Sequence, residues 1–219
     1  MIEIAIYDMD KTITRRATFG GFQRHSLMKH GRWRSLLLPA VVPVTAAYGL
    51  RLIDRGRLKA TNLALLVGRG GYEARSASFA AHTIARNILP QAIAQIAEDK
   101  ARGARLVLAT ASYDFYAGDI GRALGFTDII ATANDGAKII GENCYGPAKL
   151  RMIEAWLSAH GIERGATNIR FYTDHVSDAP CLEWADEAYA VNPHGPLRRL
   201  AVAKGWHILD WAKAGRKVQ

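Results

Sequence analysis

The sequence predicts an α/β protein, a doubly wound, open parallel sheet with a helical insertion placed directly after its first strand. Three observations predict it. Short apolar runs at 2–8, 104–112, 168–178 and 187–193 each end in polar residues, as buried parallel strands do. Helical patterns closed by glycine lie between them at 90–103 and 148–161. The interval from about Arg15 to Leu89 holds no convincing strand and reads as several helices rich in Arg, Lys and His. The expected division is therefore a core of residues 1–13 and 95–219 and a helical insertion of 14–94. A chain of 219 residues suffices for one core carrying one insertion.

The first strand, "IEIAIYD" (2–8), starts one residue into the chain. That leaves no room for the charged and apolar regions of a signal peptide and predicts a cytoplasmic protein. In the insertion, "SLLLPAVVPVTAAYGLRLI" (35–53) is the longest apolar stretch. Pro39, Pro43 and Arg51 interrupt it, so it falls short of the roughly 20 residues a spanning helix needs. Gly49, Gly56, Gly68, Gly70 and Gly71 mark turns there. "PQAIAQIAEDKARG" places Ile93, Ile96 and Ala97 on one helical face. "ARLVLATAS" then repeats the strand form and ends in hydroxyls, "NIRFYTDHVSD" ends in two acids, and "EAYAVNP" is the fourth strand.

A net charge of +9 favours an anionic partner: a phosphate ester, a nucleic acid or an acidic lipid surface. No nucleic-acid motif and no basic stripe interleaved with aromatics is present, which argues against nucleic acid. Cys144 and Cys181 lack metal-ligand spacing and read as reduced thiols.

"YDMDKTIT" (7–14) sets Asp8 and Asp10 two apart at the end of the first strand. Two such carboxylates repel unless a cation lies between them or one keeps a proton. An Asp-rich turn bonding its own backbone explains the pair equally well. The strand-end "ATAS" with Thr110, the lysine of "GPAKL" (Lys149) and "TDHVSD" with Asp174 and Asp178 then follow in order.

These four motifs in this order resemble those of the haloacid dehalogenase superfamily of phosphatases, in the branch of phosphoserine phosphatase, over about 1–13 and 95–219. The resemblance implies a Rossmann-like core under a helical cap. It also implies an Mg²⁺-dependent hydrolysis of a phosphate monoester through an aspartyl-phosphate. Asp8 would be the nucleophile and Asp10 the general acid and base. Asp8, the Asp10 backbone carbonyl and Asp174 would hold Mg²⁺. Thr110, Ala111 and Lys149 would bind the phosphate, and Asp178 would orient Lys149 or a metal-bound water from behind. His175, where relatives commonly carry a small residue, is a further candidate contact. A phosphotransferase of the same fold and a non-catalytic basic module on a membrane are the alternatives.

The same resemblance places a glutamate for the substrate's amino group where Ala17 stands here, beside Arg15 and Arg16, with Lys11 in the motif's serine position. An amine would find no partner, and Arg15 and Arg16 become candidate substrate contacts. "FGGFQRHSLMKHG…LLLPAVVPV" also resembles bacterial phosphatidylglycerophosphatases of the C type. The substrate is thus a small metabolite phosphate or a lipid phosphate such as phosphatidylglycerophosphate. In the lipid case the basic clusters flanking the apolar run would touch an anionic membrane peripherally, at its inner face.

Overall fold

Past Glu3 the opening strand β1 (Ile2–Tyr7) contains nothing polar except the Tyr7 hydroxyl, and Ile4, Ala5, Ile6 and Tyr7 are all fully buried. A strand of that composition belongs in the middle of a sheet covered on both faces. The computed structural model, which describes residues 1–68, 70–135 and 138–214, places it there. β1 pairs in parallel with β2 (Arg105–Tyr113) on one side and β5 (Thr167–Thr173) on the other. β3 (Asp128–Asn134) and β4 (Ile139–Ile140) lie beyond β2, and β6 (Glu187–Val191) and β7 (His207–Leu209) beyond β5. The order is β4-β3-β2-β1-β5-β6-β7, parallel throughout except where β4 runs against β3. No pattern in the sequence marks β3, β4 or β7. Two are too short for a period to show, and β3 buries only Ile130 and Thr132.

Alternation in β1 feeds two cores. Ile4 and Ile6 join Val107 and Phe171 against Ile153 and Leu157 of α7 (Pro147–Ala159). Ala5 and Tyr7 join Leu108 and Tyr172 against α5 (Pro90–Ala101) and α6 (Asp114–Ala123). Gly121 lets α6 lie close to the sheet, since a Cβ there would come 2.4 Å from Ile129 Cδ1. Cys144 and Cys181 are free and buried.

Between β1 and α5 the chain forms α1 (Thr18–His30), a 3-10 stretch (Arg32–Ala40), α2 (Val41–Gly49), α3 (Arg55–Leu66) and α4 (Tyr72–Arg86). Departure and return are tied together. Thr14 bridges Ile88, Arg15 N–H donates to Asn87 O at 2.7 Å, and Leu89 N–H donates to Ile13 O at 2.9 Å. Phe22 of α1 stacks on Tyr116 of α6 at 5.0 Å, with Phe79 of α4 edge-on to the same ring. Truncating Phe22 to Ala would cost about 3–5 kcal/mol. The segment Arg32–Gly49, in contrast, buries no residue. No helix among the described residues is long and apolar enough to cross a membrane.

Candidate active site

The carboxyl ends of β1, β2 and β5 converge, and ligands of open parallel sheets bind there. Each strand leaves in a shape that exposes polar groups. After β1 the chain makes a wide turn in which Thr14 N–H reaches back five residues to Met9 O at 3.0 Å. Lys11 takes a left-handed conformation (φ 62°), held by its N–H donating to Thr14 Oγ1 at 3.1 Å. A lysine tolerates that backbone only where its surroundings enforce it. The ladder between β2 and β3 slips between Thr110 and Tyr113. In that gap Ser112 N–H donates to Thr110 Oγ1 at 3.1 Å. α7 begins at Gly146 (φ 59°) and Pro147, which puts Lys149 in its first turn.

Lys149 is buried between two carboxylates, its Nζ 2.8 Å from Asp8 Oδ1 and 2.6 Å from Asp178 Oδ2. Burial alone would lower its pKa, but Asp178 and Asp8 outweigh that and hold the ammonium well above its ordinary value. Asp178 is fixed in turn by the Thr173 hydroxyl, which donates to Oδ2 at 2.9 Å. Asp8, also buried, is pushed up to about 6 by desolvation, with Lys149 opposing and Asp178 and Asp10 adding repulsion.

Asp10 lies on the far side of the turn with both oxygens engaged. Thr18 N–H and Thr18 Oγ1 each donate to Oδ1 at 2.7 Å, and Ser112 Oγ donates to Oδ2 at 3.2 Å. Asp174 differs. It is 8% exposed, no donor among the described residues reaches its carboxylate, and burial with repulsion from Asp8 raises it to about 8.

A cavity of about 140 Å³ has Asp8, Asp10, Thr110, Ala111, Lys149 and Asp174 in its wall. His175 and Asp178 line it too. His175 Nδ1 accepts Ser177 N–H at 3.1 Å, and its ring stacks on His194 at 4.5 Å, so the imidazole shapes the turn after β5. Arg15 and Arg16 do not line this cavity and face the two grooves beside it.

The acidic wall suits a hard cation. Asp174 is an undonated, mutually repelled carboxylate, and Asp178 Oδ1 is a buried oxygen without a partner. Among the described residues no three acidic, His or Cys groups form a ready cage. Mg²⁺, which keeps waters and takes one or two carboxylates beside substrate oxygens, needs none.

Further residues meet the site with no sequence motif that gives them a part in it. Ser112 closes the "ATAS" run, but its contact to Asp10 spans 102 residues. Thr18 shows no local signal. Arg55 and Tyr145 stand at the cavity mouth, the guanidinium 4.1 Å over the ring. Lys59 of α3 is buried, donates to the Ala111 carbonyl and lies 4.5 Å over Tyr113, with burial and nearby Arg55 lowering its pKa to about 8. Ala17 lines the cavity wall.

A family model described as haloacid dehalogenase-like hydrolase matches residues 5–183. A probable phosphatase of Mycobacterium tuberculosis is 28% identical over 223 residues, 95% of this chain and 75% of that protein. A solved protein of unknown function from Bordetella pertussis Tohama I superposes with a TM-score of 0.84 at 26% identity, covering 96% of this chain and 99% of the other. A phosphoserine phosphatase solved as a phospho-aspartyl intermediate analogue shares the fold, with a TM-score of 0.61 at 17% identity over 95% and 92% of the two chains.

Proposed function

Because the chain belongs to the haloacid dehalogenase-like hydrolases and is a phosphatase, we propose that it hydrolyses a phosphate monoester through an aspartyl-phosphate on Asp8. The observation that carries this reading is the buried Lys149 ammonium at 2.8 Å from Asp8, beside Thr110 at the base of a phosphate-sized cavity. Residues 1–13 and 95–219 serve as the catalytic core and 14–94 as a cap over it.

An Asp8 carboxylate oxygen forms a bond to phosphorus as the bond to the ester oxygen breaks. Asp10, held by Thr18 and Ser112, delivers a proton to that departing oxygen. Lys149, the Thr110 hydroxyl and the Ala111 backbone N–H hold the phosphoryl oxygens as charge builds on them. In the second half Asp10 takes a proton from water, the water oxygen bonds to phosphorus, and the Asp8–phosphorus bond breaks to release inorganic phosphate. Asp8, Asp174 and the Asp10 carbonyl would hold Mg²⁺, which would neutralise charge on the phosphoryl group. His175, at the cavity wall, shapes the turn that carries Asp174.

The substrate class is a phosphorylated small molecule or a lipid phosphate. Ala17 and Arg55 line the cavity, and none of its acids comes from α1–α4, so an anionic or neutral leaving group suits it better than an amine.

Phosphate release across a panel of sugar phosphates, nucleotides, phosphoserine and phosphatidylglycerophosphate, with Mg²⁺ and with chelator, tests this reading. Asp8→Asn is expected to lower kcat/KM by at least about a thousandfold. Unchanged turnover in that variant would sink the nucleophile assignment. Phosphate recovered on an added alcohol rather than in water would reassign the enzyme as a phosphotransferase.

A further inference from the structure

We propose that the helical pair from Arg32 to Ile53 docks on an anionic lipid bilayer, its apolar side chains seated at the headgroup boundary. The segment forms a 3-10 stretch and a short α-helix yet buries none of its side chains through Gly49. Trp33, Leu36, Val42, Leu50 and Leu52 are between 63% and 79% exposed, with Leu38 and Tyr48 beside them. Single exposed apolar residues are ordinary, but a run of them on one projecting element marks a surface that meets something apolar.

Charge decides what that something is. Residues 11–72 hold twelve Lys and Arg and a single acid, Asp54. The rest of the chain, with 17 basic against 19 acidic residues, is slightly negative, so the excess positive charge lies in this stretch of the sequence, and the apolar run within it has no acid until Asp54. Asp54 is itself committed, accepting Arg57 N–H at the start of α3. Arg32, Arg51 and Arg57 are exposed around the apolar tip. A second copy presenting the same face would meet its own positive charge. An anionic bilayer meets both halves of the pattern, since lipid headgroups take the arginines while the acyl boundary takes Leu, Val and Trp. The element lies on such a surface and does not span it, since no described helix is long and apolar enough to cross.

Docking would also orient the enzyme. The groove holding Tyr48 and Leu52 shares Asp54 with the groove of Arg55 and Tyr145, and those two residues line the phosphate cavity. This consequence rests on the phosphatase reading, whereas the docking does not.

Co-sedimentation with vesicles tests it, using phosphatidylcholine alone and an equal mixture of phosphatidylcholine and phosphatidylglycerol, at low and high salt. Binding is expected to the anionic vesicles only, and to weaken with salt. Each of Arg32→Gln and Arg51→Gln is expected to lower partitioning about fivefold. The triple variant Leu36→Ser, Val42→Ser, Leu50→Ser is expected to lower it about a hundredfold or more, with hydrolysis of a water-soluble phosphate ester unchanged. Failure to bind anionic vesicles at low salt overturns the proposal, as does binding that ignores the triple substitution. A concentration-dependent dimer in sedimentation velocity, abolished by the triple variant in a protein that ignores vesicles, would name a second copy as the occupant and overturn it too. Loss of vesicle binding with full phosphatase activity, or the converse, separates the failure of this proposal from failure of the catalytic reading.

Discussion

Replacing Asp174 by Asn should make the metal-free protein more stable while disabling it. Asp174 is buried without a donor, and desolvation with repulsion from Asp8 raises its pKa from 3.8 to about 8. A carboxyl whose pKa is raised in the fold keeps its proton in the native state after the unfolded chain has lost it. Its stability contribution is therefore full below the unfolded pKa and is lost as pH rises through the folded one. For these two values the loss by pH 7 reaches about 4 kcal/mol in full, and relaxation around the charge leaves about 2 kcal/mol for Asp174→Asn to recover. Asp8, raised to about 6, titrates in the same direction. Urea unfolding in chelator at about pH 5, 7 and 8.5 measures the effect. The wild type should lose stability across that range, and the variant should lose less. Mg²⁺ at a hundred times its Kd should restore about 2.7 kcal/mol to the wild type and little to the variant. If Asp174→Asn is the less stable of the two in chelator at the highest pH, or gains as much from Mg²⁺, the electrostatic account of this wall is wrong.

Two further changes probe the same site. Ser112→Ala removes one of three hydrogen bonds to Asp10, so kcat should fall about tenfold for alkyl phosphates. p-Nitrophenyl phosphate, whose leaving group needs no proton, should be nearly unaffected, and an equal loss on both would refute a role in holding the acid. Lys149→Met leaves Asp8 and Asp178 buried without their shared cation. It should cost about 3–5 kcal/mol near neutral pH and less in acid, where Asp8, raised to about 6, takes up a proton; an unchanged thermal midpoint at pH 7 would contradict that.

What could be read from the sequence followed from distance along the chain. β1, β2, β5 and β6 announced themselves because burial on both faces forces a local apolar run. β3 did not, because "DIIATAN" has small and half-exposed residues, and β4 and β7 are too short to show a period. Asp8, Lys149 and Asp174 could be picked out because each follows a strand or opens a helix, and Thr110 because it stands in the run of small hydroxyl residues where the β2–β3 ladder slips. The residues that hold them could not, since Lys59 and Ser112 reach the site through contacts spanning 52 and 102 residues, and Thr18, only eight residues from Asp10, stands in the insertion with no motif to mark it. The stretch 35–53 could have been the buried heart of the insertion or a surface element, and composition alone cannot separate these. The structure leaves it uncovered.

The bond from Thr18 to Asp10 has a consequence in time. Thr18 is the first residue of α1, and it grips the proposed acid with both its N–H and its hydroxyl. Any swing of α1 away from the sheet takes two of the three anchors of Asp10 with it. A gaping enzyme would hold a nucleophile ready beside Lys149 but no aimed proton, and bond breaking would wait for the lid. Under the proposed mechanism, timing of this kind would commit the reaction only to molecules whose binding draws the helices shut, and it would leave bulk water a poor phosphoryl acceptor until the leaving alcohol had gone.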